Sequence, residues 1–429
     1  MTAVATSNVL STNVIRPKSG SGVRSRSATA RVRSTTRVQI VPPELKIADG
    51  TAAAVFRVAA ARGPICRDQA AAATGASIAT VNRQVSALLA AGLLRERPDL
   101  TASGAVGRPR VPFETDHERY LTVGIHIGAA VTGIVASDLR GRVIGAVEIP
   151  TPRGGQEAAL GAITSSARAF ASRWHRRTPL WAGVALGGRV DSATGTVDHP
   201  RLGWEDAPVG SVVSRGLGLP VSVAAHVEAM AASELLLTPD RDTADVEGAT
   251  LYFYARETVG IAIAFDGRVH TPRGGPGSVS HLPTGSSVPC ACGARGCLEA
   301  TVADRAVLTR ARAAGLLDAG ATSVSALYAL ARNGSHEAHE ILVERAQVLG
   351  RSVAMLRDLF NPDRVILGGQ AFTAYPEAAP HVARALASPS GADVRVTGFG
   401  DRVQAHAASV VSLSSLYSDP LGAMRRALV

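Results

Sequence analysis

Residues 290–297 read Cys-Ala-Cys-Gly-Ala-Arg-Gly-Cys, and a histidine stands nine positions before the first of these cysteines. Three thiolates and one imidazole at this spacing can complete a tetrahedral shell, for which Zn²⁺ is the favoured ion. Four protein ligands leave no open position for an activated water, so the site is expected to be structural. The alternative is a set of reduced surface thiols beside an unrelated histidine. The predicted ligands are His281, Cys290, Cys292 and Cys297.

The composition indicates a soluble protein with sizeable hydrophobic cores. The chain has 429 residues, of which 46% are hydrophobic, and this length suits about two or three domains. No run of about 18 apolar residues suggests a membrane span, and the first residues lack the apolar core of a secretory signal. The sequence therefore predicts a cytoplasmic protein with reduced cysteines and no membrane partner.

Positive charge is concentrated in the N-terminal part of the chain. Residues 1–117 contain 16 Lys and Arg against 7 Asp and Glu, whereas the remaining residues contain 29 against 28. This asymmetry predicts a polyanionic partner for the N-terminal part and a nearly neutral body behind it.

Residues 1–43 contain no acidic residue and follow no amphipathic period, which is typical of a disordered basic arm. Two interpretations stay open. Either the arm grips nucleic-acid phosphates, or these residues precede the true translation start.

Residues 44–115 carry the pattern of a helix-turn-helix DNA-binding domain. Apolar-rich stretches predict helices over 52–61 and 67–74, and Gly75 predicts a turn into a third, serine-capped helix. One face of this helix is predicted to be apolar, with Ile78, Val81, Val85 and Leu88. The other face is expected to enter the major groove, where asparagine bonds adenine and arginine bonds guanine or phosphate. Its predicted DNA contacts are Ser77, Thr80, Asn82, Arg83 and Gln84.

Residues 95–113 predict a wing of two short strands around a glycine-containing loop at 103–107. The run Gly-Arg-Pro-Arg at 107–110 follows directly. A narrow, extended run of this kind fits the minor groove, where arginine meets the enhanced negative potential of A·T-rich DNA. Arg108 and Arg110 are therefore predicted to contact DNA as well.

The remainder of the chain alternates strands, helices and glycine turns. Strands are predicted at 121–127, 131–137 and 141–148, a meander typical of an actin-like ATPase lobe. Three motifs then make the pattern specific: Cys-x-Cys-Gly-x-x-Gly-Cys-x-Glu from 290, Asn-Pro-Asp-Arg-Val-Ile-Leu-Gly-Gly from 361, and Gly-Gly-Arg-Val-Asp from 187. Together they resemble the ROK family of repressors, open reading frames and kinases.

The resemblance implies the fold class and the domain order. A mainly α-helical winged helix-turn-helix at 44–115 would precede an α/β actin-like ATPase fold of two lobes at 116–429, with a zinc knuckle at 281–297. The N-terminal part is similar to the DNA-binding half of ROK transcriptional regulators, which the shorter sugar kinases of the family lack.

The resemblance also implies that catalysis has been lost. Where family kinases carry Val-Glu-Asn-Asp-Ala-Asn, this chain reads Val-Ala-Ala-His-Val-Glu at 223–228, so His226 replaces the aspartate that accepts the sugar proton. Their Asp-x-Gly-Gly-Thr-Lys becomes His-Ile-Gly-Ala-Ala-Val at 126–131, and their Gly-Thr-Gly-Ile-Gly becomes Arg-Glu-Thr-Val-Gly at 256–260. Phosphoryl transfer needs positioned phosphates and metal, so no catalytic residue is predicted.

Sugar recognition is kept only in part. The glutamate that reaches the sugar is retained, whereas an asparagine of the family is replaced by Arg201. A neutral sugar, a sugar phosphate or another acidic effector, or no effector at all, are the open alternatives. The predicted effector-binding residues are Asp191, Arg201, His226 and Glu299.

The leading prediction is a sequence-specific transcriptional regulator, a repressor of sugar or related metabolic genes that acts in the cytoplasm on the nucleoid. It is expected to bind a two-fold symmetric double-stranded operator as a homodimer or a dimer of dimers. The alternatives are a zinc-dependent protein-interaction scaffold and an active sugar kinase.

Overall fold

Three helices come first along the described part of the chain, and their sequences explain where they begin and end. The helices are α1 (Thr51–Arg62), α2 (Arg67–Thr74) and α3 (Ile78–Ala90). Gly75 ends α2 with a φ of +67°, in the left-handed region that glycine adopts without strain. The Ser77 side chain then caps α3 by accepting the Thr80 N–H at 3.2 Å. The predicted helix bounds are thus confirmed within one residue.

The apolar face of α3 is nearly as predicted, with one exception. Val81, Val85 and Leu88 are fully buried. Ile78 is 49% exposed, so its assignment to the buried face was wrong. Ile78 is the first residue of the helix, and the packed face of α3 begins one turn later.

Two short strands follow, β1 (Leu94–Glu96) and β2 (Phe113–Thr115), and they pair antiparallel. Glu114 on β2 is buried and accepts ion pairs from Arg95 at 2.7 Å and Arg97 at 2.9 Å. Burial alone would raise the pKa of Glu114, but these guanidinium groups hold it below its ordinary value. Arg140, in the body of the protein, also pairs with Glu114 and so ties this sheet to the body.

The structure is a computed structural model, and it describes residues 38–101, 110–238, 246–272, 278–387 and 391–428. In these segments no helix combines the length and the apolar character that crossing a membrane requires.

The body contains two five-stranded sheets. The first has the order β10-β6-β3-β4-β5, in which β3, β4 and β5 form the predicted antiparallel meander and β6 and β10 run parallel to β3. The third strand of the meander lies two residues later than predicted. The strands are β3 (Tyr120–Ile127), β4 (Val131–Ser137), β5 (Val143–Pro150), β6 (Thr178–Leu186) and β10 (Val221–Ala225).

Two helices and a small sheet accompany this first sheet. Helices α4 (Gln156–Ala171) and α5 (Val209–Leu217) pack against each other, and their apolar residues join the core of the sheet. The small antiparallel sheet consists of β7 (Arg189–Asp191), β8 (Thr196–His199) and β9 (Trp204–Ala207).

The second sheet has the order β13-β12-β11-β14-β15. Its strands are β11 (Ala249–Ala255), β12 (Val259–Phe265), β13 (Arg268–Val269), β14 (Arg364–Gly368) and β15 (Asp393–Val396). The helices around it are α7 (Leu298–Val302), α8 (Asp304–Ala313), α9 (Ser325–Arg332), α10 (His336–Phe360), α11 (Gln370–Thr373) and α12 (Ala379–Leu386).

Two helices lie in the core that the two sheets share. Helix α6 (His226–Leu236) packs against α13 (Val403–Ser418), and α13 also contacts β3 and β6. A Cβ at Gly183 would stand 2.2 Å from the Ser412 backbone nitrogen, so this close approach requires glycine. A last helix, α14 (Pro420–Ala427), follows.

The three N-terminal helices share a hydrophobic core with the body. Phe56 on α1 is fully buried and meets Tyr417 on α13 edge-to-face, with ring centroids 5.9 Å apart. Leu88 of α3 and Met424 of α14 belong to the same core. Because this core is continuous, a displacement of α13 must be felt by α1 and α3.

Residues 38–47, which we call the strap, connect the outer edges of both sheets. Val41 donates its N–H to Val221 on β10, and Val221 donates to Gln39, each at 2.9 Å. Farther along, Val269 on β13 donates to Leu45 at 3.0 Å. Gln39 and Val41, which lie inside the segment 1–43 predicted to be a disordered arm, are thus hydrogen-bonded to the body.

Candidate functional site

The face of α3 that points away from the core is polar and exposed. Asn82 and Arg83 are exposed, and no hydrogen bond or ion pair of the Asn82 or Gln84 side chain occurs among the described residues. Arg83 makes one weak contact, from Nη2 to the Thr80 Oγ1 at 3.4 Å. Buried Val81 and Val85 hold the helix from behind, so these polar groups are presented on a rigid support.

Two further arginines, Arg108 and Arg110, were predicted to contact DNA, and the structure describes one of them. Arg110 pairs with Asp68 on α2 at 2.7 Å, although its side chain is still 77% exposed. Arg108 and the predicted loop at 103–107 lie outside the described residues. The hairpin base between them and the body is the paired β1 and β2.

The histidine and the three clustered cysteines converge as predicted. Their ligand atoms all lie within 4.8 Å of one another. Cys290 Sγ lies 3.7 Å from His281 Nδ1, and Cys292 Sγ lies 3.6 Å from Cys297 Sγ. Ligand atoms at about 2.3 Å (S) and about 2.0–2.1 Å (N) from a tetrahedral Zn²⁺ would be about 3.5–3.8 Å apart. The donor set and its spacing therefore fit a metal ion of this kind.

The backbone around the cluster depends on glycine. Gly293 and Gly296 have φ values of +89° and +70°, and a Cβ at Gly296 would stand 2.2 Å from the Ser286 carbonyl oxygen. Cys297 then forms the N-cap of α7. The loop that carries the three cysteines consequently fixes the start of the helix that carries Glu299.

Glu299 is enclosed by donors of its own chain. Its Oε1 receives Arg201 Nη2 at 2.5 Å and Arg305 Nη2 at 3.0 Å. Its Oε2 receives the Val259 N–H and the Ser280 hydroxyl, each at 3.2 Å. Burial raises the pKa of Glu299, but Arg201 and Arg305 outweigh burial and hold it below its ordinary value. The carboxylate that the resemblance assigns to a sugar is already fully hydrogen-bonded.

Two neutral histidines lie beside this network. The rings of His126 and His226 stack with centroids 5.7 Å apart. Burial lowers the pKa of His126 to about 3 and that of His226 to about 4, so both are uncharged at neutral pH. His126 Nε2 is buried without a hydrogen-bond partner in the described part of the chain. An uncharged imidazole at His126 does not supply the negative charge that the family's aspartate brings to metal-bound phosphate, and neutral His226 replaces the carboxylate that accepts the sugar proton.

The four predicted effector residues do not all line the same cavity. Arg201, His226 and Glu299 interact electrostatically in the cleft between the sheets. Asp191 instead lines a separate cavity beside the strap. Sequence reasoning missed Arg305, which lies outside the family motifs quoted above. It also gave no role to Glu228, the last residue of the stretch at 223–228, because the surroundings of both residues come from distant segments.

Comparison with known proteins agrees with this architecture. The sequence profile described as the ROK family matches residues 122–389. A transcriptional regulator of Mycobacterium tuberculosis (strain ATCC 25618 / H37Rv) is 54% identical over 399 residues, which cover 90% of this chain and 90% of that protein. The DNA-binding transcriptional dual regulator NagC of Escherichia coli (strain K12) is 25% identical over 333 residues, 74% of this chain and 80% of that protein.

Solved structures with a similar fold cover different shares of the chain. A ROK family transcriptional regulator, described as a homolog of the E. coli MLC protein, covers 89% of this chain with a TM-score of 0.71 at 23% identity, and 98% of its own length is matched. A ROK family glucokinase from Streptomyces griseus, in complex with glucose and AMPPNP, covers 68% of this chain and 99% of its own, with a TM-score of 0.58 at 24% identity. These likenesses show a shared fold. With a family profile over residues 122–389 and a regulator 54% identical along 90% of its length, the chain belongs to the ROK family.

Proposed function

We propose that this protein is a sequence-specific, DNA-binding transcriptional regulator whose ROK body does not catalyse phosphoryl transfer. The exposed polar face of α3, on which Asn82 and Gln84 have no side-chain partner among the described residues, carries the proposal. Asn82 and Arg83 present the donors and acceptors that read base edges in a major groove, and Arg83 can also contact phosphate. The mycobacterial and E. coli relatives named above are transcriptional regulators, and they match 90% and 74% of this chain.

In this interpretation residues 44–115 are the winged helix-turn-helix domain and residues 116–429 the ROK body. Ser77 and Thr80 begin the recognition helix, and Arg108 enters the adjacent minor groove with Arg110 close behind. Phosphate contacts supply salt-dependent affinity, and base contacts supply selection. The proposed partner is a two-fold symmetric double-stranded operator bound by a homodimer in the cytoplasm, on the nucleoid.

The absence of catalysis is supported by the chemistry of the cleft. Neutral His126 and His226 stand where the family kinases carry aspartates, and Glu299 is held by Arg201 rather than being free for a hexose hydroxyl. A kinase needs both a general base and a charged metal-phosphate site. The body is therefore assigned to dimerisation and, through a ligand, to regulation of sugar or related metabolic genes as a repressor.

Zn²⁺ is the proposed cofactor, with His281, Cys290, Cys292 and Cys297 as its four ligands. When bound, the ion would supply a structural cross-link and no open coordination position. Its role would be to hold the loop that precedes α7, and with it Glu299, in place.

The experiment that tests the function is selection from sheared genomic DNA of the source organism at about 150 mM salt, where phosphate-only binding is weak. The protein should enrich a recurrent palindrome with half-sites spaced by about 34–36 Å or a multiple of it. Folded, zinc-loaded protein that enriches no sequence, with or without added sugars and sugar phosphates, would contradict the proposal.

The alternative function, a zinc-dependent protein-interaction scaffold, predicts a different result in the same DNA-selection experiment. If the N-terminal part bound protein and not DNA, replacing both Arg83 and Arg108 by Ala would leave DNA binding unchanged. The proposal requires that this double variant lose enrichment while it keeps its fold, which circular dichroism checks; the Arg83 side chain is exposed.

A further inference from the structure

A second cavity, distinct from the cleft around Glu299, lies between the strap and both lobes. Its volume is about 530 Å³, within the range that suits a small molecule. One wall is Pro42 of the strap, and another is Thr271 and Pro272, which follow β13. The third wall is formed by the β7–β8 hairpin and the first turn of α6. None of Arg201, His226 or Glu299 belongs to this lining.

The polar lining of this cavity is predominantly acidic. Asp191, Asp198, Asp206 and Glu228 line it, against one basic residue, Arg189. Arg189 is already paired with Asp198, through Nε at 3.0 Å and through Nη2. Arg189 also acts electrostatically on Asp191 and Asp206, but it is the one basic residue of the described lining, so the cavity keeps an excess of negative charge.

Glu228 is the residue that points to a ligand. It is only 5% exposed and lines the cavity, and no described residue hydrogen-bonds or ion-pairs with its carboxyl group. Burial raises its pKa to about 7. A buried carboxyl without a partner is costly unless something supplies a donor or a positive charge.

The arrangement distinguishes between kinds of cation. Among the described residues, one group of three or more ligand-type side chains converges as a metal site requires, and it is the His281 cluster. The carboxylates of the cavity are therefore spread over its walls and do not meet at one point. Spread carboxylates suit an organic molecule with an ammonium group and further donors better than a bare divalent ion.

We propose that this cavity binds a small organic amine, with its ammonium group between Glu228 and Asp191, and that this amine is an effector of the protein. Asp191 is available for the role because its Oδ1 accepts the Ala193 N–H at 2.9 Å and keeps the side chain ionised and oriented. Glu228 from α6 and Asp191 from the small sheet would then be linked through the ligand.

The strap gives such a ligand a route to the N-terminal helices. Pro42 contacts the cavity, while its neighbours Val41 and Leu45 are bonded to the edges of the two sheets. The strap leads within a few residues to α1, which packs on α13. An amine that favours one arrangement of the lobes would thereby bias the position of α1 and α3. This regulatory step rests on the proposed DNA-binding function, whereas the binding itself does not.

Binding is tested without DNA, by calorimetry and thermal shift on the full-length, zinc-loaded protein. The probes are glucosamine, putrescine and spermidine, each beside a neutral counterpart: glucose for the first and 1,4-butanediol for the other two. We expect at least one amine to bind at least about tenfold more tightly than its counterpart, because charge-assisted hydrogen bonds are the stronger ones. Equal or absent binding for every amine overturns the proposal.

Variants locate the site. Glu228→Gln and Asp191→Asn should each weaken amine binding at least about tenfold, and Arg351→Ala, on the exposed surface of α10, should leave it unchanged. Amine binding that persists undiminished in both acidic variants overturns the assignment to this cavity. Binding of Mg²⁺ alone to these carboxylates, with no amine bound, does so too.

Arg273 follows Pro272 in the sequence and lies outside the described residues, so it provides one more test. Amine binding that appears in Arg273→Ala but not in the wild type would overturn the proposal, since the chain would then provide the positive charge itself. If an amine binds and no operator is found, the cavity is confirmed and the DNA-binding function is what fails.

Discussion

Helix α3 and the cleft between the two sheets both carry charged and polar side chains, but those side chains differ in exposure and in how many hydrogen-bond partners the chain itself provides. On α3, Asn82 and Arg83 are exposed, and Arg83 makes a single weak contact at 3.4 Å. In the cleft, both oxygens of Glu299 are occupied by Arg201, Arg305 and two further donors of the same chain. Polar groups that the fold leaves without partners can bind another molecule, whereas groups with all partners internal stabilise the fold. The difference supports the proposal that the N-terminal helices, rather than the cleft, bind the partner of this ROK protein.

The largest effect on stability is expected from replacing Cys297, a proposed metal ligand next to the helix that carries Glu299. Cys297→Ser should abolish the binding of about one Zn²⁺ per chain and lower the free energy of unfolding by more than about 4 kcal/mol, the class of change seen when a structural metal is lost. Cys297 is 3% exposed, so its thiol is also part of the core. Metal content by mass spectrometry of the native protein, with chemical denaturation, measures both.

Cys66 supplies the matched control, since it is the remaining cysteine of the chain. It forms the N-cap of α2, where its N–H donates to Gln69 at 2.8 Å. Serine is a favoured N-cap, so Cys66→Ser should keep both zinc and stability. Equal zinc loss in the two variants would mean that the cluster is not the metal site.

A second effect follows from Glu228, whose pKa is raised by burial from 4.5 to about 7. A carboxyl with a raised pKa stabilises the fold when protonated, and this contribution is lost as pH rises through about 7. Wild-type protein should therefore lose up to about 2–3 kcal/mol between pH 5 and pH 8 relative to Glu228→Gln. Denaturation midpoints at the two pH values measure the difference.

The exposed Glu157 on α4 provides the control for this comparison. Glu157→Gln should follow the wild type at both pH values, because it lacks the buried environment. His126 and His226, with lowered pKa values, shift stability in the opposite direction, but they do so equally in all three proteins. A Glu228→Gln profile parallel to that of the wild type would contradict a buried, unpartnered carboxyl.

A smaller loss of stability is expected from removing one of the two arginines that pair with Glu299 in the cleft. Arg201→Ala should destabilise the fold by about 2 kcal/mol, less than for a fully buried pair, because the Arg201 side chain is 28% exposed. Arg305→Ala removes the other guanidinium from the same Glu299 oxygen, but Arg305 is 52% exposed. Its cost should stay below about 1 kcal/mol. An equal cost for both would show that burial does not distinguish the two pairs.

Neither the wild type nor a variant of the cleft is expected to show sugar kinase activity. Wild-type protein should produce no ATP-dependent hexose phosphate, and neither should Arg201→Ala, since His126 and His226 still stand in place of the two aspartates. Hexose phosphate detected by coupled assay and lost on His226→Ala would reverse the interpretation of the cleft.

The sequence predicted local structure well, where a few adjacent residues decide it. The N-terminal helices, the β3–β5 meander and the four clustered metal ligands all follow from nearby glycines, caps and periodic apolar residues. It could not predict contacts between distant segments. The hydrogen bonds of Gln39 and Val41 to Val221, the ion pair of Glu299 with Arg201 and the burial of Glu228 depend on how remote elements meet. For the same reason the sequence did not predict that Asp191 lines a cavity that excludes the other three predicted effector residues.

The most direct measurement compares operator affinity on α3. A duplex carrying the enriched palindrome and a scrambled duplex are titrated at about 150 mM salt with the wild type, Asn82→Ala and the exposed, body-sited control Arg351→Ala. The account predicts that Asn82→Ala loses about 1–3 kcal/mol of affinity for the palindrome, with a free energy of unfolding within about 0.5 kcal/mol of the wild type and unchanged binding to the scrambled duplex. Arg351→Ala should match the wild type throughout. Unchanged preference of Asn82→Ala for the palindrome would contradict the central claim that the free face of α3 reads DNA.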